Sequence, residues 1–427
     1  MGDWLPKASL SLGDHAVNLQ KILHRQRLGD LGKELGMEHF ITSIHIDRVR
    51  HLHDMTIRLD EKHKRHLILT GKNGAGKTSL LKAMKENMQG IFENKNLDSR
   101  ERQNHMDSYC ANDLGKGIQL TFHHDDDLMA CYRNHEFIMA HYAADRLTKI
   151  NISQGVENVM IQEVYDMDAY PVEELAKYMV HLKTQQSYAN NEKDLNTVQL
   201  IEKWFDRFEA ALRKLMNDDS ITLKYDFKKY SFQILQDGRN PVGFTELSDG
   251  YSAAIFILAD LVMRMDQNWL LKNAEPSSDM EGVVLIDEVE THLHLQLQRT
   301  ILPFLTEMFP NIQFIVATHS PFIVNSLDDA VVFDLENKTL VNGGLSNYTY
   351  SGIVEGYFHA DELSRMLREK FERFRHLVQK QSLTDDDYSE IMDLELYLDE
   401  IPDYLAMGIA AEYNKLKLEF EIREEAE

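Results

Sequence analysis

A chain of 427 residues, 43% hydrophobic and 27% charged, is long enough to bury a large core and has a globular balance rather than a fibrous or disordered one. Its formal net charge of -24, from 70 acidic against 46 basic residues, excludes the broad basic surface with which a protein wraps nucleic acid. With only Cys110 and Cys131, a disulfide framework is excluded and a reducing, cytoplasmic setting is expected.

The start, Met1-Gly2-Asp3-Trp4-Leu5-Pro6, has neither the basic nor the apolar region of a secretory signal. Residues 1–36 read as a short helical extension punctuated by glycines. From Ile41 to Leu59 apolar residues alternate in the strand manner, at Ile44, Ile46 and Val49, then Met55, Ile57 and Leu59. Asp60 to Arg65 makes a charged turn, and His66-Leu67-Ile68-Leu69-Thr70 is a buried strand. A helix follows through about Met88. Strands are then expected at Gly117 to Phe122, Leu128 to Arg133 and Phe137 to Tyr142.

The pattern turns helical from 155 to 218, with Leu200, Ile201, Trp204, Phe205, Phe208, Leu212 and Leu215 on one face. Strand signals return at Ile221 to Phe227 and Tyr230 to Leu235. The most apolar stretch, Ala253 to Met263, is short and carries Asp260, so no membrane span is expected. Gly282 to Ile286, Gln313 to Ala317 and Val331 to Leu335 alternate with helices, the mark of a parallel sheet covered on both faces. Beyond Gly356 the chain looks all-helical, with Thr384 and Asp385 to Asp387 as a strong helix start.

Three constellations carry chemistry. Gly71-Lys72-Asn73-Gly74-Ala75-Gly76-Lys77-Thr78, followed by Ser79, fits G-x-x-x-x-G-K-[ST] between a strand and a helix. Its glycines let backbone N–H groups point at phosphate oxygens; Lys77 reaches the outer phosphates and Thr78 offers a hydroxyl to Mg²⁺. Val283-Val284-Leu285-Ile286-Asp287-Glu288 is a buried strand ending in two carboxylates, Asp287 for the metal and Glu288 as general base. Phe314-Ile315-Val316-Ala317-Thr318-His319 is a second buried strand, ending in a histidine suited to sensing the γ-phosphate. Acidic or histidine strand ends are often merely structural, and it is the phosphate loop that favours chemistry here.

A fourth segment, Leu247-Ser248-Asp249-Gly250-Tyr251-Ser252, opens the apolar helix that runs to about Met265. Together and in this order the four resemble the ABC ATPase superfamily, in its soluble branch with RecF, SMC and OLD proteins. The resemblance implies an α/β, ABC-type P-loop ATPase core with a mixed, largely parallel sheet, an inserted helical lobe and a C-terminal helical extension. It divides the chain into core residues 37–150 and 221–355, a lobe at 151–220 and an extension at 356–427. Gly71 to Thr78 then resembles Walker A, Val283 to Glu288 Walker B, and His319 the switch histidine. Ser248 and Gly250, in the signature, would bind the phosphate of a nucleotide held by another copy. Asp249 stands where transporters have glycine. No Q-loop glutamine is evident; Tyr142 to Arg146 falls where that loop belongs, and Arg146 is a candidate for nucleotide sensing. Val289 to His294 would be the D-loop.

The layout resembles AAA15/AAA21-type ATPases of anti-phage systems such as Septu, PARIS and the retrons. OLD and Gabija proteins carry a Toprim nuclease after the ATPase, whereas the residues following Leu335 here lack a strand-borne acidic cluster. The resemblance therefore implies ATP and Mg²⁺ as ligands, a homodimer or higher homo-oligomer joined through ATP sites, and a separate nuclease-like effector. Arg365, Arg368, Lys370, Arg373, Arg375 and Lys380 form a local basic patch, either a contact for nucleic acid or a solvated face interleaved with Glu369 and Glu372. A RecF-like clamp acting in DNA repair or chromosome maintenance is the alternative reading.

Overall fold

The computed structural model describes residues 39–93, 117–146, 150–157, 165–266, 280–345, 365–380, 382–401 and 407–426, with residues 159, 162 and 353. The N-terminal extension expected at residues 1–36 lies outside them. The chain divides into two compact units, residues 1–347 and 348–427.

The first unit is built on β3 (His66–Thr70), β5 (Phe137–Tyr142), β9 (Glu281–Ile286), β10 (Ile312–Ala317), β11 (Ala330–Asp334) and β12 (Thr339–Asn342). They form one sheet in the order β12-β11-β3-β10-β9-β5. All neighbours run parallel except β12, which returns antiparallel on β11. Residues of β3, β5 and β10 are buried throughout, which is why these strands read as unbroken apolar runs. Helix α1 (Lys77–Glu93) follows β3, and its Leu80, Leu81, Ala83, Met84 and Met88 are buried in the core.

A second, antiparallel sheet pairs β1 (Ile41–Val49) with β2 (Leu52–Arg58) and β4 (Ile118–Phe122). The buried Gln313 side chain of β10 tethers it to the main sheet. Its amide accepts from Ile41 N–H at 2.7 Å and donates to the Ile41 and Arg65 carbonyls at 2.9 and 2.8 Å.

One expected strand is a helix. Residues 128–133 belong to α2 (Asp125–Arg133). Leu128-Met129-Ala130-Cys131-Tyr132 is too short an apolar run for periodicity to separate helix from strand.

The lobe consists of α3 (Leu175–Glu192) and α4 (Leu195–Met216), preceded by a 3₁₀ turn at Pro171–Glu174; residues 155–157 and 165–170, expected helical, are irregular. The apolar face expected for α4 is buried as read. Asp194 caps α4 by accepting from Thr197 N–H at 3.2 Å. The strands β6 (Thr222–Asp226), β7 (Ser231–Leu235) and β8 (Val242–Gly243), expected with the core, form a sheet of their own. It leans on α4: Phe232 stacks on Phe205 with ring centroids 5.6 Å apart, and Leu223 N–H donates to Glu209 at 2.7 Å.

The apolar α5 (Asp249–Met265) ends at Asp266, buried at 3% exposure. This carboxylate accepts from Trp204 Nε1 of α4 and from the Tyr178 hydroxyl of α3, joining the lobe to α5.

Helices α6 (Leu295–Met308) and α7 (Pro321–Val324) follow β9 and β10. In the second unit, α8 (Arg365–Val378), α9 (Asp385–Asp399) and α10 (Met407–Ala426) enclose Phe371, Phe374, Ile391, Leu394, Tyr413 and Leu416. Thr384 caps α9 in a reciprocal box with Asp387. The basic side chains of α8, and Lys380 just after it, are largely engaged. Arg373 pairs with Glu390, Arg375 with Glu372 and Glu412, and Lys380 with Asp387, while Lys370 lies over the Tyr397 ring. Among the described residues no helix is long and apolar enough to cross a membrane.

Burial pushes the Asp266 carboxyl up to about 7, with the two hydrogen bonds opposing it. Between the ordinary carboxylate range and that value the folded chain binds more protons than the unfolded one, so this group makes stability fall as pH rises. Thermal melts from about pH 5 to about pH 8 should show that fall, and Asp266→Asn should flatten it, with its largest gain over the native chain at the upper end.

Candidate functional site

In a parallel sheet every strand delivers its following loop to the same edge, and neighbouring strands lie about 4.8 Å apart. The order β3-β10-β9-β5 therefore sets the phosphate loop beside the His319 loop, that loop beside Asp287-Glu288, and those carboxylates beside Tyr142 to Arg146.

Gly71, Gly74 and Gly76 all have positive φ, at 131°, 86° and 102°, which bends the loop between β3 and α1. A Cβ on Gly76 would come 3.0 Å from the Leu52 side chain, so the loop is pinned against the β1–β2 turn. Asn73, Gly74 and Thr78 are exposed, Ala75, Gly76 and Ser79 half-buried, and Lys77 buried. Lys77 Nζ donates to the Gly71 and Lys72 carbonyls at 2.6 and 3.2 Å, and lies 3.3 Å from His319 Nδ1. Burial lowers its pKa, and the nearby Glu290, Asp287 and Glu288 carboxylates oppose that shift. An ammonium held inside a bent loop in this way suits a polyanion.

Asp287 is 2% exposed, and its Oδ1 has no hydrogen-bond partner. Burial raises its pKa, while a hydrogen bond with Thr78 works against the rise. A buried carboxylate oxygen without a partner, beside a threonine hydroxyl, is an oxygen donor set suited to Mg²⁺. Glu288, half-buried, has a φ of 44°, a conformation that a non-glycine residue adopts only at a cost. Its carboxylate meets the Thr291 hydroxyl at 3.4 Å.

Arg146 is 6% exposed and donates from Nη1 to the Ala143 and Asp287 carbonyls, at 3.1 and 3.0 Å; its Nε and Nη2 have no partner. It thus stands behind the acidic strand end, joined to it through the backbone.

Ser248 caps α5 without a side-chain hydrogen bond, and both Ser248 and Asp249 are exposed. Gly250 is buried: a Cβ there would lie 3.0 Å from the His292 carbonyl oxygen. Lys77, Thr78, Asp287, Glu288 and His319 are thus brought together, whereas Ser248 presents its hydroxyl to solvent.

Sequence reasoning placed Glu290 in the expected D-loop but gave it no role. Its carboxylate accepts from the Thr318 hydroxyl at 2.7 Å and from His319 N–H at 2.5 Å. Only the pairing of β9 with β10 reveals these partners. A cavity of about 400 Å³, lined by His51, Leu52, Lys72, Asn73, Leu335 and Glu336 among others, opens beside the phosphate loop. A wider one, of about 780 Å³, lies along Thr245, Leu247, Asp249 and Ser252 at the signature.

The chain is similar to known proteins. A family profile described as "AAA domain, putative AbiEii toxin, Type IV TA system" matches residues 174–325, and one described as "AAA domain" matches residues 43–249. The chain is 26% identical over 402 residues to the Septu protein PtuA of Bacillus mycoides (strain KBAB4), covering 88% of this chain and 52% of the relative. It is 29% identical over 195 residues to the retron Ec83 probable ATPase of Escherichia coli, covering 44% of this chain and 33% of the relative. The chain thus spans about half the length of the first relative and a third of the second. Among solved structures it is similar to an Smc head bound to the C-winged helix domain of ScpA. That match has a TM-score of 0.41 and 12% identity, over 73% of this chain and 100% of the other.

If the loop binds a nucleotide's phosphates, Lys77→Ala should weaken Mg-ATP binding by at least about tenfold in titration calorimetry, since a buried charge-assisted contact is lost. The melting temperature without nucleotide should stay close to that of the native chain.

Proposed function

We propose that this chain, which resembles the ABC-type ATPases of anti-phage defence systems, hydrolyses ATP at composite sites shared by two of its copies. In this role it is the sensor and scaffold subunit that controls a separate nuclease or other toxic effector. The observation that carries the ATPase reading is the convergence of Lys77, Thr78, Asp287, Glu288 and His319 at the carboxyl ends of three adjacent strands. The exposure of Ser248 at the tip of α5 supports completion of the site by a second copy.

Each residue has a role that its surroundings suit. The N–H groups of residues 73–79 and the Lys77 ammonium hold the β- and γ-phosphates. The nucleoside end has room in the cavity beside His51 and Leu52. The Thr78 hydroxyl and the Asp287 carboxylate would hold Mg²⁺, which when bound would supply positive charge against the phosphate oxygens. Glu288 takes the proton of the attacking water as general base, and His319 orients the γ-phosphate end. Ser248 and the first N–H groups of α5 face the γ-phosphate bound to the other copy, so ATP joins the protomers and its hydrolysis loosens them.

The effector part of the reading is supported by the likeness to Septu and retron proteins. A RecF-like clamp on DNA would use the basic patch of α8, where Arg373, Arg375 and Lys380 are already ion-paired within their own unit.

Glu288→Gln should bind ATP yet fail to hydrolyse it, shifting the mass distribution toward a dimer with Mg-ATP but not with Mg-ADP; an unchanged distribution would count against shared sites. Purified from its host in that state, the variant should retain a second protein in stoichiometric amount. DNA alone in the same eluate would favour the clamp.

A further inference from the structure

The segment Glu288 to Leu293 is strained as well as well tied. Glu288 and His292 both have positive φ, 44° and 68°, and neither is glycine. Such conformations persist only where surrounding contacts over-determine them, and they cluster where geometry serves function. Here the contacts run in two directions.

Toward the histidine loop there are three. Val289 N–H donates to the Ala317 carbonyl at 3.4 Å. The Glu290 carboxylate takes the Thr318 hydroxyl on one oxygen and His319 N–H on the other, at 2.7 and 2.5 Å. Gln298, at the start of α6 (Leu295–Met308), donates to the Leu293 carbonyl at 2.8 Å and accepts from the Ser320 hydroxyl at 2.6 Å. Toward the signature, the His292 carbonyl abuts Gly250 so closely that a Cβ there would sit at 3.0 Å, and the His294 ring meets Tyr251 edge-on, with centroids 5.7 Å apart.

We infer that Glu290 is a positioning residue that fixes His319 for γ-phosphate recognition and joins its loop to the signature, so that both loops answer the nucleotide as one body. Glu290 is only half-buried, yet both of its oxygens are committed, and Thr318 is fully buried. Among the described residues no other side chain holds the His319 backbone N–H. Removing the carboxylate frees the loop that carries the imidazole, 3.3 Å from Lys77 Nζ. A glutamine keeps the acceptor for His319 N–H in its carbonyl, and its amide can meet the Thr318 oxygen with the donor role reversed, beside the Ser320 N–H that oxygen already accepts.

The inference rests on the ATP reading and is tested by binding rather than turnover. The affinities of the full chain for Mg-ATP and Mg-ADP are measured by calorimetry for native protein, Glu290→Ala, Glu290→Gln and His319→Ala. Glu290→Ala should lose about tenfold in ATP affinity, the worth of a lost charge-assisted hydrogen bond, and little in ADP affinity. His319→Ala should lose the same selectivity, and the double variant no more than either single one. Glu290→Gln should restore the native ATP-to-ADP ratio. Thr318→Val, which at nearly constant volume removes the link to Glu290 and the acceptor of the Ser320 N–H, should lose part of the selectivity and serves if Glu290→Ala does not fold.

A native ratio in Glu290→Ala, or an equal loss for both nucleotides, would overturn the positioning role and leave the ATP reading standing. Native protein that binds neither nucleotide would overturn both.

Discussion

The site depends on one constraint, the parallel pairing of β3 with β10, β10 with β9 and β9 with β5. Parallel strands send their following loops to a common edge, and hydrogen-bonded neighbours cannot drift apart. Residues separated by more than 240 positions, such as Lys77 and His319, thereby come within 3.3 Å. The same geometry leaves the signature out. Ser248 caps α5, whose first turn meets the loop after Glu288 through Gly250 and Tyr251.

That helix is held by a buried polar cluster. Arg264 donates to Asp260 at 2.8 Å and to the Met139 and Asp166 carbonyls at 3.0 and 3.1 Å, and the Tyr142 hydroxyl donates to Asp260 at 2.8 Å. Two buried charges cost heavily in desolvation unless nearly every donor and acceptor is satisfied. Here carbonyls of β5 and of residues 166–169 do the satisfying, so the cluster fixes the register of α5 against β5. The signature at one end of α5 and the lobe at the other, through Asp266, are thus joined along one buried helix.

Much of this was legible in the sequence, for identifiable reasons. The three site-bearing strands are buried on both faces, so each appears as an apolar run, and the chemical residues stand at its end. Helix α4 was plain because one face is apolar over six turns. What the sequence hid was partnership across distance. Glu290 looks like any loop carboxylate until β9 is seen beside β10. The strands β6 and β7 are recognisable as strands, but nothing local says that they pair with the two-residue β8 in a sheet apart from the core. The misread at Leu128 to Arg133 is a failure of length, since six residues hold too few turns for a helical period to declare itself.

The central claim is that a working site needs the phosphate loop of one copy and the signature of another. Subunit mixing tests it most directly, using Lys77→Ala and Ser248→Arg, each expected to be inactive alone. In an equal mixture half of the dimers are mixed, and each mixed dimer carries one intact site, so activity should return to roughly a quarter of the native level. If mixed dimers form, as native mass spectrometry would show, and the mixture stays inactive, the sites are not shared between copies.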